Sequence, residues 1–406
     1  MLQIVFLHPD LGIGGAERLV VDAALALKSK GHRVSFLTSH HDKSHCFEET
    51  KDGTFSITVV GDWIPRHVGG RFHAAFAYLR MIFTAFYLAL ISNLKPDVIF
   101  CDQISACIPI LKYGTGAKIL FYCHFPDQLL TKRQSFFKQL YRAPLDWLEE
   151  KTTGMADLVL VNSHFTAKVF KDTFTSLKSL ETHILYPSLN TEVFDDAKQT
   201  YGKYHIKRDA FPSDATCIFL SINRFERKKN LSLAIYAMAE LKKLLSDAEW
   251  NSVHLAMAGG YDENLAENVE HFHELQDLLG KLDLSGKVSF FKSVSSTAKM
   301  ALFKSASAVI YTPSNEHFGI VPLESMYMEK PVIAMKSGGP LETVDNEKTG
   351  FLCDENPISV AEAMVKFIKY PDLAKEMGSA GKQRVKTHFS FTSFANTLNG
   401  MILSIS

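Results

Sequence analysis

Residues 308–324, AVIYTPSNEHFGIVPLE, contain one complete unit of the predicted fold. The apolar run 308–312 is typical of a buried strand, and the segment after Gly319 is typical of a helix, with Pro322 suited to its first turn. A polar loop joins the two. Parallel α/β sheets are built from repeats of this strand, loop and helix. The segment therefore predicts an open parallel sheet with crossover helices.

The same pattern recurs along the whole chain, with helical patterns between the apolar runs. The first series of runs is 3–8, 33–39, 57–61, 97–102, 118–124, 157–163 and 183–187. The second series is 217–223, 252–259, 287–292, 308–312, 331–335 and 350–353. The sequence therefore predicts two Rossmann-like, doubly wound α/β domains that face each other across a cleft at the carboxyl ends of their strands.

A polar stretch at 195–214, without a sustained apolar period, separates the two series. Such a composition is typical of a linker between domains. We therefore predict an N-terminal domain at 1–200 and a C-terminal domain at 210–385. A final helix at 386–406 is expected to cross back to the N-terminal domain.

Charge and cysteine content exclude several classes of protein. Lys plus Arg and Asp plus Glu both number 44, so no overall field attracts the chain to nucleic acid. The six cysteines lack CxxC spacing and mostly lie in apolar runs, which is typical of reduced core residues. No metal-site spacing is present, so no metal or other cofactor is predicted. The apolar run 2–7 begins without a leader-like segment, and a cytosolic active domain is expected.

A glycine-rich turn follows the first run and reads HPDLGIGGAER at 8–18. Glycines at such a turn, Gly15 among them, let backbone N–H groups approach an anion at a helix N-terminus. The GxGG spacing departs from the dinucleotide fingerprint GxGxxG, and no acidic residue clearly ends the second strand. A plain tight turn and a phosphate or substrate loop both remain open, whereas a nicotinamide-dependent oxidoreductase is disfavoured.

A basic turn opens the second series of strands. The segment NRFERKKN at 223–230 places four cations where a strand ends and a helix begins. Arg224 would make bidentate contacts with a diphosphate, and Lys229 would supply a compact point charge. A solvated surface turn has the same composition, but the position at the carboxyl edge of a sheet favours an anion site.

The loop after the run 308–312 and the helix that follows it carry two carboxylates, Glu316 and Glu324. Carboxylates accept hydrogen bonds from sugar hydroxyls, and free N–H groups at a helix start suit a phosphate. A surface glutamate and an acid that complements the helix dipole are the alternative. The residues predicted to bind a sugar phosphate here are Glu316, Phe318, Gly319, Ile320, Val321 and Glu324.

Two further strand ends carry weaker signals. His124 follows a strand and can hydrogen-bond a sugar or move a proton, although a lone histidine is more often structural. The turn SGGPLET at 337–343 contains Glu342, for which a ligand site and an ordinary first-turn acid fit the sequence equally well.

Residues 74–94 form a long apolar pattern in which Arg80 is the only charge. As a helix it would be about 31 Å long, enough to cross a hydrocarbon core. It lies where the first sheet requires a crossover helix, so docking of its apolar face on a bilayer is favoured over spanning, and an ordinary core helix is the third alternative. Flanking aromatic and cationic residues suit a headgroup or a lipid diphosphate. Those predicted for acceptor or membrane contact are Trp63, Arg66, Lys132, Arg133, Lys138 and Arg142.

These motifs resemble those of a known family. Glu316 and Glu324, with seven residues between them, resemble the signature of retaining glycosyltransferases with the two-domain GT-B fold, glycosyltransferase family 4. Arg224, Lys229 and the turn at 338–342 lie where that family places them. The motifs HPDLGIGGAER, CDQISACIP, FYCHFPD, LYRAPLDWLEE, TTGMADLVLVNS and RFERKKN are similar to those of the eukaryotic dolichol-pathway mannosyltransferases that add the second and third mannoses of the N-glycan precursor. The resemblance covers nearly the whole chain.

The resemblance implies an enzyme that transfers mannose from GDP-mannose to a dolichyl-diphosphate-linked mannosyl-chitobiose, in successive α1,3 and α1,6 additions at the cytosolic face of the endoplasmic reticulum membrane. The N-terminal domain would face the acceptor and the membrane, and the C-terminal domain would bind the nucleotide sugar. Other early dolichol-pathway glycosyltransferases are expected partners. A non-catalytic nucleotide-sugar-binding or scaffold subunit of a membrane glycosylation complex is the alternative.

The resemblance also implies roles for single residues. Arg224 and Lys229 would neutralise the diphosphate, and Gly15 would lie against it, so no metal is demanded. Glu324 would hold the ribose and Glu316 the mannose hydroxyls. The residues implied to be catalytic are Glu316, His124, Arg224 and Lys229, with His124 in contact with mannose.

Overall fold

The computed structural model describes residues 1–131, 136–191, 194–195 and 211–406. The chain divides into two compact units. The first unit contains Met1–Ser188 together with Phe391–Ser406, and the second contains Leu189–Ser390. The chain thus leaves the first unit before the expected boundary at 200 and re-enters it for its last 16 residues.

A seven-stranded parallel sheet forms the centre of the first unit, in the order β3-β2-β1-β4-β5-β6-β7. Its strands are β1 (Gln3–His8), β2 (Arg33–Thr38), β3 (Ser56–Val59), β4 (Val98–Asp102), β5 (Lys118–Cys123), β6 (Leu158–Val161) and β7 (Thr182–Ile184). Its helices are α1 (Gly15–Ser29), α2 (His73–Leu90), α3 (Ile108–Thr115), α4 (Asp127–Leu130), α5 (Phe136–Thr153) and α6 (His164–Thr173), and the last helix of the chain, α15 (Phe391–Ile405), joins them.

Two hydrophobic cores cover the two faces of this sheet. Alternate residues of β1 point to opposite faces. Ile4 and Phe6 pack among residues of α1 and α15, whereas Val5 and Leu7 pack among residues of α2 and α3. Because both faces are covered, the strands are apolar on both sides, which is why they appear in the sequence as continuous apolar runs.

The last helix is attached to the first unit by polar contacts as well as by its apolar face. Lys30 Nζ donates to Asn396 Oδ1 at 2.6 Å, and His32 Nε2 lies 2.7 Å from Asn399 Oδ1. On its apolar side Leu398 is fully buried in the core that contains α1. The helix therefore completes the cover of one sheet face.

The second unit repeats the architecture with a six-stranded parallel sheet in the order β10-β9-β8-β11-β12-β13. Its strands are β8 (Cys217–Ile222), β9 (Val253–Gly259), β10 (Val288–Lys292), β11 (Ala308–Tyr311), β12 (Val332–Met335) and β13 (Gly350–Cys353). Its helices are α7 (Ser232–Leu244), α8 (Asp247–Asn251), α9 (Ala266–Lys281), α10 (Ser296–Ser305), α11 (Ile320–Tyr327), α12 (Pro340–Thr343), α13 (Pro357–Lys369) and α14 (Pro371–His388). Short 3-10 turns lie at Glu48–Thr50, Ser105–Cys107, Thr175–Leu177 and Arg227–Lys229.

The strand order creates one switch point in each sheet, where the connections turn in opposite directions. In the first unit it lies between β1 and β4, and in the second between β8 and β11. Open α/β sheets bind ligands outside the carboxyl ends of the strands at this place. The two doubly wound sheets predicted from the sequence are confirmed, and every predicted strand is present. The largest difference in a strand end is at β7, which ends at Ile184 where the run 183–187 was predicted.

All six cysteines are free and buried, which confirms the prediction of reduced core thiols. In the described parts of the chain, α2 is the one helix that is long and apolar enough to cross a membrane, a property of its length and composition alone. The core helix of a soluble protein satisfies the same criterion, and 33% of this helix is buried.

Candidate active site

The loops on either side of the switch point in the second unit are joined by two contacts. Lys229, in the loop after β8, places its Nζ 2.6 Å from Oε2 of Glu316, in the loop after β11. Thr312 Oγ1 donates to the backbone oxygen of Lys229 at 2.7 Å. A cation and a carboxylate, both mostly buried, are thus fixed together at the carboxyl edge of the sheet.

Tyr311 supports the same carboxylate from the end of β11. Its hydroxyl donates to Glu316 Oε2 at 3.3 Å. Burial, and then the charge of Glu316, raises the pKa of Tyr311, so the hydroxyl stays protonated as a donor. Gly319, with φ of +81°, lies beside the same ring, and a Cβ there would be 3.2 Å from it. The positive φ and the close approach of the ring therefore both favour glycine at the start of α11.

The second glycine turn packs directly on the loop that carries Glu316. A Cβ on Gly338 would lie 2.4 Å from the backbone oxygen of Glu316, and one on Gly339 would lie 2.1 Å from that of Phe318. The N–H of Gly339 donates to the Glu316 oxygen at 2.7 Å. This close backbone packing explains why glycines are required at both positions, and it holds the loop that carries Glu316 in place.

Glu324, in the first turns of α11, pairs with a lysine that the sequence analysis did not single out. Lys299 of α10 donates to Glu324 Oε1 at 2.7 Å, and its Nζ lies 2.6 Å from Oε2. Burial raises the pKa of the Glu324 carboxyl, and the contact with Lys299 opposes that effect. Each glutamate of the predicted pair therefore has its own lysine.

The four cations of the basic turn do not all serve one site. Arg227 turns towards α9, where its guanidinium donates to Glu270 at 2.9 Å and to Glu274 at 2.6 Å. Arg224 and Lys228 share Glu226, each at 3.0 Å. Arg224 is nevertheless 63% exposed. The candidate anion site thus includes Arg224 and Lys229, whereas Arg227 is used to attach the turn to a helix.

A buried cluster of His8, Asp102 and His124 occupies the switch point of the first unit. Asp102, at the end of β4, accepts from His8 Nδ1 at 2.7 Å and lies 2.8 Å from His124 Nε2. His8 ends β1 and His124 follows β5, so three neighbouring strands each contribute one side chain. Asp102 was missed as a functional residue, although its place at a strand end beside β1 was a usable signal.

Electrostatics of this cluster favour a charged His8. Burial lowers its pKa, but Asp102 and then Glu17 outweigh burial and raise the pKa to about 10. Burial would raise the pKa of Asp102, yet His8 and His124 hold it below its usual value. Asp102 is therefore an anion between two histidine rings at neutral pH, and the His8 ring is an imidazolium.

The glycine turn before α1 lies next to this cluster. Glu17, in the first turn of α1, has Oε1 3.8 Å from His8 Nε2. A Cβ on Gly14 would collide with the Glu17 carboxylate at 2.2 Å, whereas a Cβ on Gly15 would meet nothing within 4 Å. Gly15 therefore faces open space, and the protein's own packing does not require a glycine there.

Glu149 of α5 holds the segment that follows His124. Its carboxylate accepts from the backbone N–H groups of Asp127 at 2.7 Å and Gln128 at 3.1 Å, which are the first residues of α4. Burial raises the pKa of Glu149 to about 7. Asn162 donates to the His124 backbone oxygen at 3.1 Å. The backbone on which His124 sits is thus fixed from two neighbouring elements.

The residues predicted for membrane or acceptor contact have different surroundings. Trp63 is 76% exposed, with its ring against Phe83 of α2 at 5.5 Å between centroids. Arg66 pairs at the surface with Asp10 at 3.1 Å. Lys138 is exposed on α5. Lys132 and Arg133 lie outside the described residues.

Arg142 was also predicted to contact the acceptor or the membrane, but its surroundings do not fit that role. Its side chain is buried and pairs with Asp127 at 2.7 Å and with Asp146 at 3.2 Å. The periodicity of α5 places it on the inner face, where two carboxylates compensate its charge. Arg142 therefore stabilises the junction of α4 and α5, and it is not available to a lipid headgroup.

Within the described ranges, no group of three or more His, Cys, Asp and Glu side chains could hold a metal ion. The cluster of His8, Asp102 and His124 is held by its own hydrogen bonds and ion pairs.

Two family models match this chain. The model described as Glycosyltransferase Family 4 matches residues 13–193, and the model described as Glycosyl transferases group 1 matches residues 205–384. The first matched segment contains β2 to β7 of the first sheet, and the second contains all six strands of the second sheet.

Curated relatives are similar over almost the full length. The α-1,3/1,6-mannosyltransferase ALG2 of Homo sapiens is 52% identical, over 98% of this chain and 94% of its own. The protein of the same name from Saccharomyces cerevisiae is 41% identical, over 95% of this chain and 82% of its own.

Solved structures of lower identity share the fold. Sucrose-phosphate synthase from Thermosynechococcus elongatus has a TM-score of 0.73 at 20% identity, over 99% of this chain and 98% of that one. HepE of Anabaena in complex with UDP has a TM-score of 0.72 at 16% identity, over 99% of this chain and 100% of that one.

Proposed function

Since this chain belongs to the ALG2 family of α-1,3/1,6-mannosyltransferases, we propose which donor, acceptor and residues it uses. It is a glycosyltransferase of the GT-B fold that acts in the assembly of the N-glycan precursor. The proposed donor is GDP-mannose, and the proposed acceptor is mannosyl-chitobiose on dolichyl diphosphate. Two successive transfers would add an α1,3-linked and an α1,6-linked mannose.

The observation that carries this proposal is the 2.6 Å contact between Lys229 and Glu316 across the switch point. In a nucleotide sugar, the sugar and the diphosphate share the anomeric C–O bond. A site that breaks this bond needs a cation for the diphosphate and an acceptor for the sugar hydroxyls close to each other. Lys229 and Glu316 meet that requirement, and Arg224 adds an exposed guanidinium from the same loop.

The proposed chemistry follows from the charges that develop during transfer. As the anomeric bond breaks, negative charge accumulates on the leaving diphosphate and positive charge on the sugar. Preorganised cations and helix-start N–H groups stabilise such an anion, at about 2.7–4 kcal/mol for one well-placed donor. Lys229, Arg224 and the N–H groups of Ile320 and Val321 would supply this stabilisation.

Glu316 would act as an acceptor for mannose hydroxyls. Lys229 and Tyr311 already occupy one of its oxygens, which makes it a fixed hydrogen-bond acceptor and a poor nucleophile. Retention would then proceed by front-side attack, with the leaving phosphate taking the proton of the acceptor hydroxyl.

The remaining predicted residues keep proposed roles at the donor. Glu324 would hold the ribose. His124 would contact the mannose, since its ring is oriented by Asp102 and its backbone is anchored by Asn162. Gly15 would lie against the diphosphate, which is consistent with the open space next to its Cα.

The enzyme is associated with the endoplasmic reticulum, and we place it on the cytosolic face. Exposed apolar residues of α2, among them Leu79, Phe86 and Leu90, would dock on the bilayer together with Trp63. Arg80, the one charge of this helix, is buried and bonded to Ser39 and Asp62, so it does not interrupt the apolar face. Other early dolichol-pathway glycosyltransferases are proposed partners at this membrane.

The test is product analysis after incubation of the purified chain with GDP-mannose and the lipid-linked monomannosyl acceptor in a membrane mimetic. Addition of two mannoses in the stated linkages is expected. Glu316→Ala and Lys229→Ala should abolish transfer without unfolding the protein. Arg227→Ala is the matched control from the same turn and should remain active, because its side chain faces α9.

Two results would contradict the proposal. Wild-type protein that binds GDP-mannose but never elongates the acceptor would indicate the non-catalytic binding subunit instead. Loss of transfer in EDTA, with recovery on addition of a divalent cation, would contradict a donor site neutralised by protein cations alone.

A further inference from the structure

Lys299 occupies a position that none of the sequence motifs includes. It lies in the first turn and a half of α10, and its ammonium reaches the carboxylate of Glu324 on α11. The ammonium is 2.7 Å from Oε1 and 2.6 Å from Oε2. Lys299 and Glu324 are both mostly buried, with 25% and 13% of their side chains exposed. This contact links two elements that follow different strands.

Both oxygens of Glu324 lie against the Lys299 ammonium. Oε1 accepts a hydrogen bond from Lys299. Oε2 is buried and lies 2.6 Å from the same ammonium. An ionised carboxylate has about four lone-pair sites, so Glu324 can accept from a further donor while Lys299 holds it.

Charge at this position depends on Lys299. Among the described residues, the titratable groups that interact with Glu324 are Lys299 and Tyr311 at the end of β11. The tyrosine hydroxyl stays protonated, because burial raises its pKa. Burial also raises the pKa of Glu324, and Lys299 is the cation that counteracts this. Without the ammonium, the buried carboxylate would take up a proton more readily.

We propose that Lys299 is a positioning residue of the donor site, which holds Glu324 as an anion that can accept from a hydroxyl of the nucleotide ribose. The inference rests on the donor site described under the proposed function. An ionised carboxylate accepts charge-assisted hydrogen bonds from hydroxyls, whereas a protonated one has given up part of its acceptor capacity. Lys299 thus acts on the donor through Glu324 and not by direct contact.

The experiment compares Lys299→Met with Lys299→Arg and with Lys304→Met, a control in the last turn of the same helix. Affinity for GDP is measured by titration calorimetry from pH 6 to pH 8.5, and KM and kcat are measured where transfer is observed. Lys299→Met should weaken GDP binding at pH 6.5 by about ten- to a hundredfold, the range expected for a lost hydrogen bond to a charged group. Its kcat should stay within about threefold, because no contact to the reacting atoms is lost.

The pH dependence separates this role from a merely structural one. For Lys299→Met, the defect in GDP binding should shrink as pH rises, because Glu324 is then ionised without help. The defect in thermal stability should grow over the same range, because a buried carboxylate with a raised pKa destabilises the fold as it loses its proton. Lys299→Arg should restore most of the GDP affinity, and Lys304→Met should resemble the wild type.

Two outcomes would overturn the inference: a Lys299→Met variant with unchanged GDP affinity, or one with the same loss of affinity at every pH. If the wild type binds no GDP, the proposed donor is wrong. The stability measurements then still test whether Lys299 controls the ionisation of Glu324, so failure of the donor assignment and failure of the inference remain distinguishable.

Discussion

Replacement of Asp102 by Asn should remove a large pH-dependent part of the stability of the first unit. The carboxylate is buried between His8 and His124, at 2.7 Å and 2.8 Å from their ring nitrogens. Asparagine keeps the shape of the side chain but not its charge. His8 would then lose its nearest counter-ion and would release its proton in the folded protein.

The magnitude follows from the pKa of His8, which is about 10 in the folded chain against 6.5 for an ordinary histidine. The stabilisation from a raised histidine pKa is complete below the unfolded pKa and is lost as pH rises through the folded one. At about 1.4 kcal/mol per pKa unit, it amounts to at most ~5 kcal/mol at pH 6, ~3 kcal/mol at pH 7.5 and under ~1 kcal/mol at pH 9.5. Glu17 contributes part of this total, so Asp102→Asn removes somewhat less.

Urea unfolding between pH 6 and pH 9.5 measures the difference in free energy of unfolding between the wild type and Asp102→Asn. A Trp250→Phe background leaves Trp63 and Trp147, both in the first unit, as fluorescence reporters. Asp97→Asn, at the opposite end of β4, is the control, and its effect should not vary over this range. A destabilisation by Asp102→Asn that is the same at pH 6 and pH 9.5 would show that the aspartate does not hold His8 charged.

Four further substitutions have expected outcomes. Gly339→Ala should lower the melting temperature of the second unit and reduce transfer, because a Cβ would lie 2.1 Å from the Phe318 backbone oxygen. In contrast, a Cβ on Gly15 would have no neighbour within 4 Å. Gly15→Ala should therefore leave the melting temperature unchanged and raise the KM for GDP-mannose. Glu149→Gln should flatten the pH dependence of stability between about pH 4.5 and pH 7 measured by urea unfolding, because a carboxyl whose folded pKa is raised to about 7 loses its stabilising contribution as pH rises through that value. Arg227→Ala should change the KM for GDP-mannose less than about twofold in steady-state assays, since its guanidinium is occupied by α9 and exposed ion pairs contribute little.

The fold could be predicted because parallel strands covered on both faces must be apolar throughout. That requirement makes a run such as 3–8 stand out from its polar surroundings, and the glycines and acids at the strand ends mark the loops. Helix faces were harder to predict, because the same residue types can form a solvent-exposed face or a buried one. Arg142 shows this, since only packing reveals that it lies opposite Asp127 and Asp146.

The candidate site was predictable where neighbours in sequence form it. Glu316 and Glu324 lie in one loop and helix, and their spacing is visible in the chain. Their lysine partners come from 87 and 25 residues away, and Asp102 meets His8 across 94 residues. Such pairs depend on which strands are adjacent. Lys299 carries no local signal at all, because an isolated lysine in an amphipathic helix is usually a solvated residue.

The position of α15 has a consequence for how the protein is made on the ribosome. The core between α1 and the sheet is completed by α15 only when the final residues of the chain have emerged, after roughly 200 residues of the second unit have been synthesised. At about 5–20 residues per second, the first unit waits on the order of 10–40 s in an unfinished state. The half of the molecule that is translated first is thus the last to be completed, and a premature stop near residue 390 would damage the N-terminal half.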